Sequence, residues 1–168
     1  MSKTTLRGNP VTLAGNLPKV GDTAPDFNLT GSDMAPITKQ SLAGKKKVIV
    51  TLPSLDTPVC QIETRKFNEQ ASSLGENVVV VVASVDTPFA AKRFCTTEGL
   101  DRVKSGSDIR DRDFGKRWGV AIADGPLMGA TARAVFVVDE HDKVTYSELV
   151  DDIAHEPNYD AALAALKH

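Results

Sequence analysis

Residues 53–67 read PSLDTPVCQIETRKF, which puts Cys60 three residues after Thr57 and two after Pro58, in a chain of 168 residues with one other cysteine, Cys95. A thiol reacts as its anion, so the first question is whether this setting favours a thiolate. Thr57 is a preferred helix N-cap, and Pro58 then takes the first helical position, where its missing N–H is no loss. Cys60 falls in the first turn, where unpaired backbone N–H groups and the positive end of the helix dipole favour negative charge. From there Cys60, Thr64, Phe67, Ala71 and Leu74 recur at three- and four-residue spacing, so the sulfur lies on the inward edge of the helix. Arg65, Lys66 and Glu69 face mainly outward on the same periodicity. A free cysteine also serves as a small buried hydrophobe. The capped helix start argues for the nucleophile instead.

No other constellation competes. His141 sits in a predicted hairpin turn, His155 in a polar loop and His168 at the carboxyl end, so spacing supports neither a Cys–His base pair nor a metal cluster. Trp118 and Phe114 read as core filling under a short helix. No glycine pattern in a strand–turn–helix context implies a bound nucleotide. Lys45, Lys46 and Lys47 form the longest basic run and read as a solvated turn. With a net charge of −2, that leaves no electrostatic footprint for nucleic acid or an anionic membrane. No signal-peptide core or membrane-length apolar run is present, and two cysteines cannot make a disulfide framework, so a cytoplasmic protein with thiol chemistry is expected. Residues 122–128, IADGPLM, place apolar side chains in a Gly/Pro loop, a candidate subunit contact or pocket wall.

The elements that must position Cys60 follow from pattern. Thr4–Leu13 alternates around Gly8-Asn9-Pro10 as an amino-terminal hairpin, and residues 19–36, rich in Pro, Gly and Asp, hold a short strand at Phe27–Thr30. Val48–Leu52 and Val78–Val85 are β-branched runs of the kind buried on both faces of a sheet, each followed by a helical pattern, and they predict adjacent parallel strands. The second of these helices spans Thr87–Glu98, with Pro88 in its first turn, Gly99 at its end and Cys95 near its carboxyl end. A short segment near Val103 and a helix near Asp113–Trp118 come next. Ala134–Val138 and Val144–Leu149 form a hairpin around residues 139–143, and Tyr159–Leu166 closes the chain as a helix after Pro157. Residues 1–168 are expected to form one domain. The order resembles a thioredoxin-like α/β fold: a central mixed β-sheet flanked by helices, with an extra amino-terminal β-hairpin.

Pro53, Thr57 and Cys60 also make up the PxxxTxxC pattern of the peroxiredoxins. The longer stretches TPVC, ETRKFN, RFCTTEGL, GVAIADGPL, ARAVFVVDE and EPNYDAALAALK resemble the thiol peroxidase subgroup, the atypical two-cysteine type, as does the amino-terminal GNPVTLAGNLPKVGDTAPDF. The resemblance implies reduction of hydrogen peroxide and organic hydroperoxides, with Cys60 as peroxidatic nucleophile and Cys95 as resolving cysteine. It further implies thioredoxin as reductant and a homodimer. From residue spacing, no cofactor and no metal are expected.

That chemistry makes demands on the residues. A thiolate attacking ROOH needs its charge stabilised, the peroxide oriented in line, and the departing alkoxide stabilised. Thr57 is expected to donate a hydroxyl hydrogen bond and Pro53 to shape and dry the loop. Spacing alone would read Arg133, at the start of the Ala134–Val138 strand, as an ordinary strand-edge residue, but the family resemblance implies that it supplies the cation; its guanidinium stays charged and offers several donors. Cys95 is expected about 10 Å along the helix axis from the level of Cys60, whereas a disulfide needs its Cα atoms within about 7 Å, so bonding the two requires local unwinding. Two other readings remain. A thioredoxin-type disulfide oxidoreductase lacks support, because Gln61, Ile62 and Glu63 follow Cys60 and no CxxC is present. A non-catalytic redox sensor would use Cys60 and Cys95 only to change shape.

Overall fold

The computed structural model describes residues 3–71 and 73–167; His168 lies outside them. Strands β1 (Lys3–Leu6) and β2 (Asn9–Ala14) pair antiparallel across a two-residue turn. Both turn residues, Arg7 and Gly8, have positive φ, as the tight turns that match strand twist require.

The main sheet has seven strands in the order β10-β9-β5-β6-β7-β3-β4. Its centre is β5 (Lys46–Thr51), with β6 (Val78–Ser84) parallel on one side and β7 (Val103–Ser107) parallel beyond it. On the other side β9 (Ala134–Val138) runs antiparallel to β5, and β10 (Val144–Leu149) closes the edge. Beyond β7, β3 (Asn28–Gly31) and β4 (Pro36–Thr38) complete a mixed sheet. The amino-terminal hairpin gains a third strand, β8 (Ala121–Ile122), which pairs with β2. Ile122, expected in a Gly/Pro loop, is instead in a strand and 3 % exposed, because strand pairing satisfies its backbone and turns it onto Val11 and Leu13.

Because side chains alternate along a strand, the central strands supply two cores. Val48, Val50, Val80, Val82, Val135 and Val137 face helices α1 (Pro58–Ala71), α2 (Pro88–Glu98) and α4 (Tyr159–Ala165). Ile49, Val81, Phe136 and Val138 face the opposite way, onto Phe27, Phe114 and Trp118 around α3 (Asp113–Arg117). Phe114 and Trp118 are stacked with centroids 5.4 Å apart, which bears out their reading as core filling. Each fully buried Val contributes roughly 1.5–3 kcal/mol over an exposed one, which explains why both faces of β5 and β6 are covered.

One basic residue departs from expectation. Lys47 is 1 % exposed rather than solvated, and its ammonium donates to Asp142 Oδ1 at 2.6 Å. The run Lys45–Lys47 enters the central strand, and the sheet carries Lys47 under the β9–β10 turn. A buried ammonium costs several kcal/mol unless paired, and Asp142 supplies the pairing.

Candidate active site

Cys60 sits in the first turn of α1, and Gln61 N–H bonds Thr57 C=O across that turn. The connection from β5 into α1 is held from outside by Asp86, two residues after β6. Its Oδ1 accepts from Ser54 Oγ at 2.8 Å and its Oδ2 from Leu55 N–H at 2.8 Å. Pro53 is buried at the start of the connection. The Thr57 hydroxyl does not point to sulfur: it donates to the Ser54 carbonyl at 3.1 Å, completing the turn into the helix. A threonine beside its own turn finds a local acceptor first, so the hydroxyl expected to assist the thiolate is committed to the backbone.

The cation comes from across the sheet. β5 and β9 are in register at Thr51–Ala134, so Arg133 lies one step beyond, beside the end of β5. Thr51 Oγ1 donates to Ala132 C=O and Thr131 Oγ1 to Leu52 C=O, each at 2.7 Å, which stitch the two strand ends together. Arg133 is 2 % exposed and its whole guanidinium is engaged. Nη2 donates to Cys60 Sγ at 3.3 Å, Nε to Ile153 C=O at 2.7 Å, and Nη1 to Glu63 Oε2. Cys60 itself is 0 % exposed.

Glu63, Asp86 and the Ile153 carbonyl were not singled out in the sequence. A signal existed for Glu63, which stands three residues after Cys60 on the same helix face. Its carboxylate is fully buried, with Oε1 left without a partner. Burial pushes the Glu63 carboxyl up to about 7, against the pull of Arg133 and helped by the charges of Glu148 and Glu156. Asp86 and Ile153 left no such mark, because each acts through contacts set by distant strands.

Beside these residues lies a cavity of about 310 Å³, bounded by Pro53, Thr57 and Arg133 on one side and by Leu6, Leu127 and Ile153 on the other. Its walls are mainly apolar, and among its lining is Arg133, which donates to the Cys60 sulfur. Leu127 and Pro126 bring the 122–128 loop into this wall, while Met128 stays 69 % exposed.

Cys95 is half-buried near the end of α2 and packs against the same core as Cys60. Burial pushes its thiol up, and both cysteines are free thiols. Arg65, expected on a solvated face, is half-exposed and forks to Glu98 on α2 at 3.0 and 3.2 Å. His141 and His155 are both exposed, the latter against Asp151. Among the described residues no group of three His, Cys, Asp or Glu is placed to hold a metal ion, and no helix is long and apolar enough to cross a membrane.

A buried thiol in the first turn of a helix under a buried arginine, on a mixed sheet with helices on both faces, defines a redox enzyme of the thioredoxin-like class. The Redoxin family matches residues 19–163, and the chain belongs to that family. A thiol peroxidase of Leptospira interrogans is 50 % identical over 98 % of this chain and 97 % of its own length. Another, from Halalkalibacterium halodurans, is 48 % identical over 99 % of this chain and 98 % of its own. The crystal structure of a peroxiredoxin-like protein from Aquifex aeolicus superposes with a TM-score of 0.93 at 46 % identity, covering 99 % of this chain and 96 % of that one. Within the family the chain is a thiol-dependent peroxidase of the peroxiredoxin type, an oxidoreductase.

Proposed function

We propose that the chain reduces hydrogen peroxide and organic hydroperoxides at Cys60, resolves the product with Cys95 and is recycled by thioredoxin. The observation that carries this reading is the Arg133 guanidinium 3.3 Å from the Cys60 sulfur beside an apolar cavity. In the first step the thiolate attacks the terminal peroxide oxygen. An S–O bond forms with the sulfur's electron pair, the O–O bond breaks, and the departing alkoxide takes a proton and leaves as ROH. Arg133 is placed to stabilise charge on sulfur before attack and on oxygen after it. Pro53 and the apolar wall keep water from competing for those donors. Thr57 serves by shaping the turn that carries Cys60.

In the second step the Cys95 thiol attacks the sulfenic acid on Cys60, forming the disulfide and releasing water. A thioredoxin dithiol then reduces the disulfide and is itself oxidised. The burial of Cys60 and the placement of Cys95 near the far end of α2 support a local opening of the first turn of α1 and the last turn of α2 before the disulfide forms. The reading takes residues 1–168 as a single domain, acting as a cytoplasmic homodimer without a cofactor.

Peroxide consumption coupled to thioredoxin, its reductase and a nicotinamide donor tests the whole cycle. Turnover by the native chain and none by Cys60→Ser is expected. Cys95→Ser should keep one stoichiometric reaction, lose recycling and accumulate sulfinic acid on Cys60. Full thioredoxin-dependent turnover by Cys95→Ser would overturn the resolving role. Insulin reduction without peroxide turnover would favour a general disulfide oxidoreductase, and stoichiometric oxidation without turnover a sensor.

A further inference from the structure

Arg133 is aimed by a carbonyl, that of Ile153, and Ile153 is in turn held by the amino-terminal hairpin. Its N–H donates to Thr5 C=O at 2.8 Å. The adjacent Asp152 is 5 % exposed, and its carboxylate collects four donors. Oδ1 accepts from Arg7 N–H at 3.1 Å and Ala154 N–H at 2.9 Å, and Oδ2 from Thr5 Oγ1 at 2.7 Å and Gly8 N–H at 2.9 Å. Three of the four come from β1 and its turn; the fourth fixes the segment that carries Ile153. Burial by itself would raise the Asp152 carboxyl, but hydrogen bonds from Thr5, Gly8, Ala154 and Arg7 outweigh it and hold the group well below the ordinary carboxylate range. The carboxylate is therefore charged at neutral pH, and charge-assisted bonds are the stronger kind.

The two segments joined by Asp152 supply one side of the cavity: Leu6 and Arg7 from the hairpin, Ile153 and Ala154 from the other. We infer that Asp152 is a positioning and specificity residue for the peroxidase reaction, latching the hairpin onto the 150–154 segment so that the apolar wall stands and the Ile153 carbonyl holds Arg133 against Cys60. The inference rests on the peroxidase reading and adds to it a residue, remote from sulfur, that sets which hydroperoxides react.

A small peroxide needs only Cys60 and Arg133, whereas a bulky apolar one also needs the wall. Reduced full-length protein, Asp152→Asn and Thr5→Val are compared in single-turnover oxidation with hydrogen peroxide and with cumene hydroperoxide. A misplacement on the order of 1 Å costs up to about a hundredfold in rate. Asp152→Asn is therefore expected to lose a few-fold with hydrogen peroxide and roughly a further tenfold with cumene hydroperoxide, with Thr5→Val in between. A merely structural Asp152 would lower both rates by one common factor, and an unchanged ratio between the two substrates overturns the inference. Hydrogen exchange reads the latch without chemistry. In Asp152→Asn the amides of Thr5, Gly8, Ile153 and Ala154 should exchange faster while those of β5 do not, and unchanged exchange at those four overturns the latch. Failure of the peroxidase reading shows separately, as native protein that consumes neither hydroperoxide.

Discussion

Arg133 makes three bonds with one planar group, and that geometry divides the labour at the sulfur. Nε and Nη1 fix its orientation on Ile153 and Glu63, leaving Nη2 for Cys60. A lysine has one point of charge and cannot reproduce the fork. Arg133→Ala should cost on the order of 10²-fold or more in the first oxidation step while the protein still folds, and Arg133→Lys should recover little. Stopped-flow oxidation of the folded variants checks this; near-native rates in Arg133→Ala would exclude the role. Glu63 makes a prediction in pH. Its carboxyl is raised by burial from an ordinary 4.5 to about 7, so between those values the folded state binds a proton that the unfolded state has released. The stabilisation is complete below about pH 4.5 and fades as pH rises through about 7, a loss on the order of 3 kcal/mol from this group. Glu63→Gln, which mimics the neutral acid, should flatten that slope in denaturant titrations between pH 5 and 8. An equally steep slope in the variant would assign it to another group.

At the scale of elements, the ends of α1 and α2 matter more than their middles. α2 begins with Thr87 Oγ1 accepting from Ala90 N–H and ends at Gly99, whose φ of 67° lies in the left-handed region. Glycine takes that conformation freely, whereas a residue with a Cβ loses about 1–2 kcal/mol there. Apart from its chain neighbours, no atom lies within 4 Å of a Cβ added at Gly99, so Gly99→Ala would act through backbone strain alone. It should loosen the turn that carries Cys95. If the last turn of α2 must open before the disulfide forms, Gly99→Ala should lower the melting temperature by several degrees and speed disulfide formation by roughly fivefold. It should also reduce sulfinic acid build-up at high peroxide. Slower or unchanged disulfide formation in a destabilised Gly99→Ala protein would place the opening elsewhere.

Across the whole molecule, the apolar side chains left uncovered include Met128 at 69 % and Phe89 at 73 % exposure. Met128 belongs to the same loop whose Leu127 walls the cavity, so a subunit contact there would also cover the mouth of the site. Met128→Asp would bury a charge in such a contact, at a cost of several kcal/mol. On the proposed homodimer reading, sedimentation should show the native chain as a dimer and Met128→Asp as a monomer, and a Met128→Asp protein that remains dimeric would locate the contact on another face.

Local patterns in the sequence determined a good deal. The β-branched runs at Val48–Leu52 and Val78–Val85, the Thr–Pro helix starts before Cys60 and Phe89, and the two hairpins are all legible, because periods of two and 3.6 residues and cap chemistry depend on near neighbours. Cys60 at a helix amino terminus needed nothing more. What tertiary structure decided is everything that requires register between distant strands. Arg133 reaches Cys60, 73 residues away, because β9 pairs antiparallel with β5 at Thr51–Ala134. Lys47 is buried because its strand is central and Asp142, in the β9–β10 turn, lies over its ammonium. Asp152 gathers the hairpin through hydrogen bonds across more than 140 residues, which exist only once the two segments are placed side by side. Side-chain type sets what a residue can bond, but long-range strand pairing sets which partner lies within 3 Å, and no local period encodes that distance.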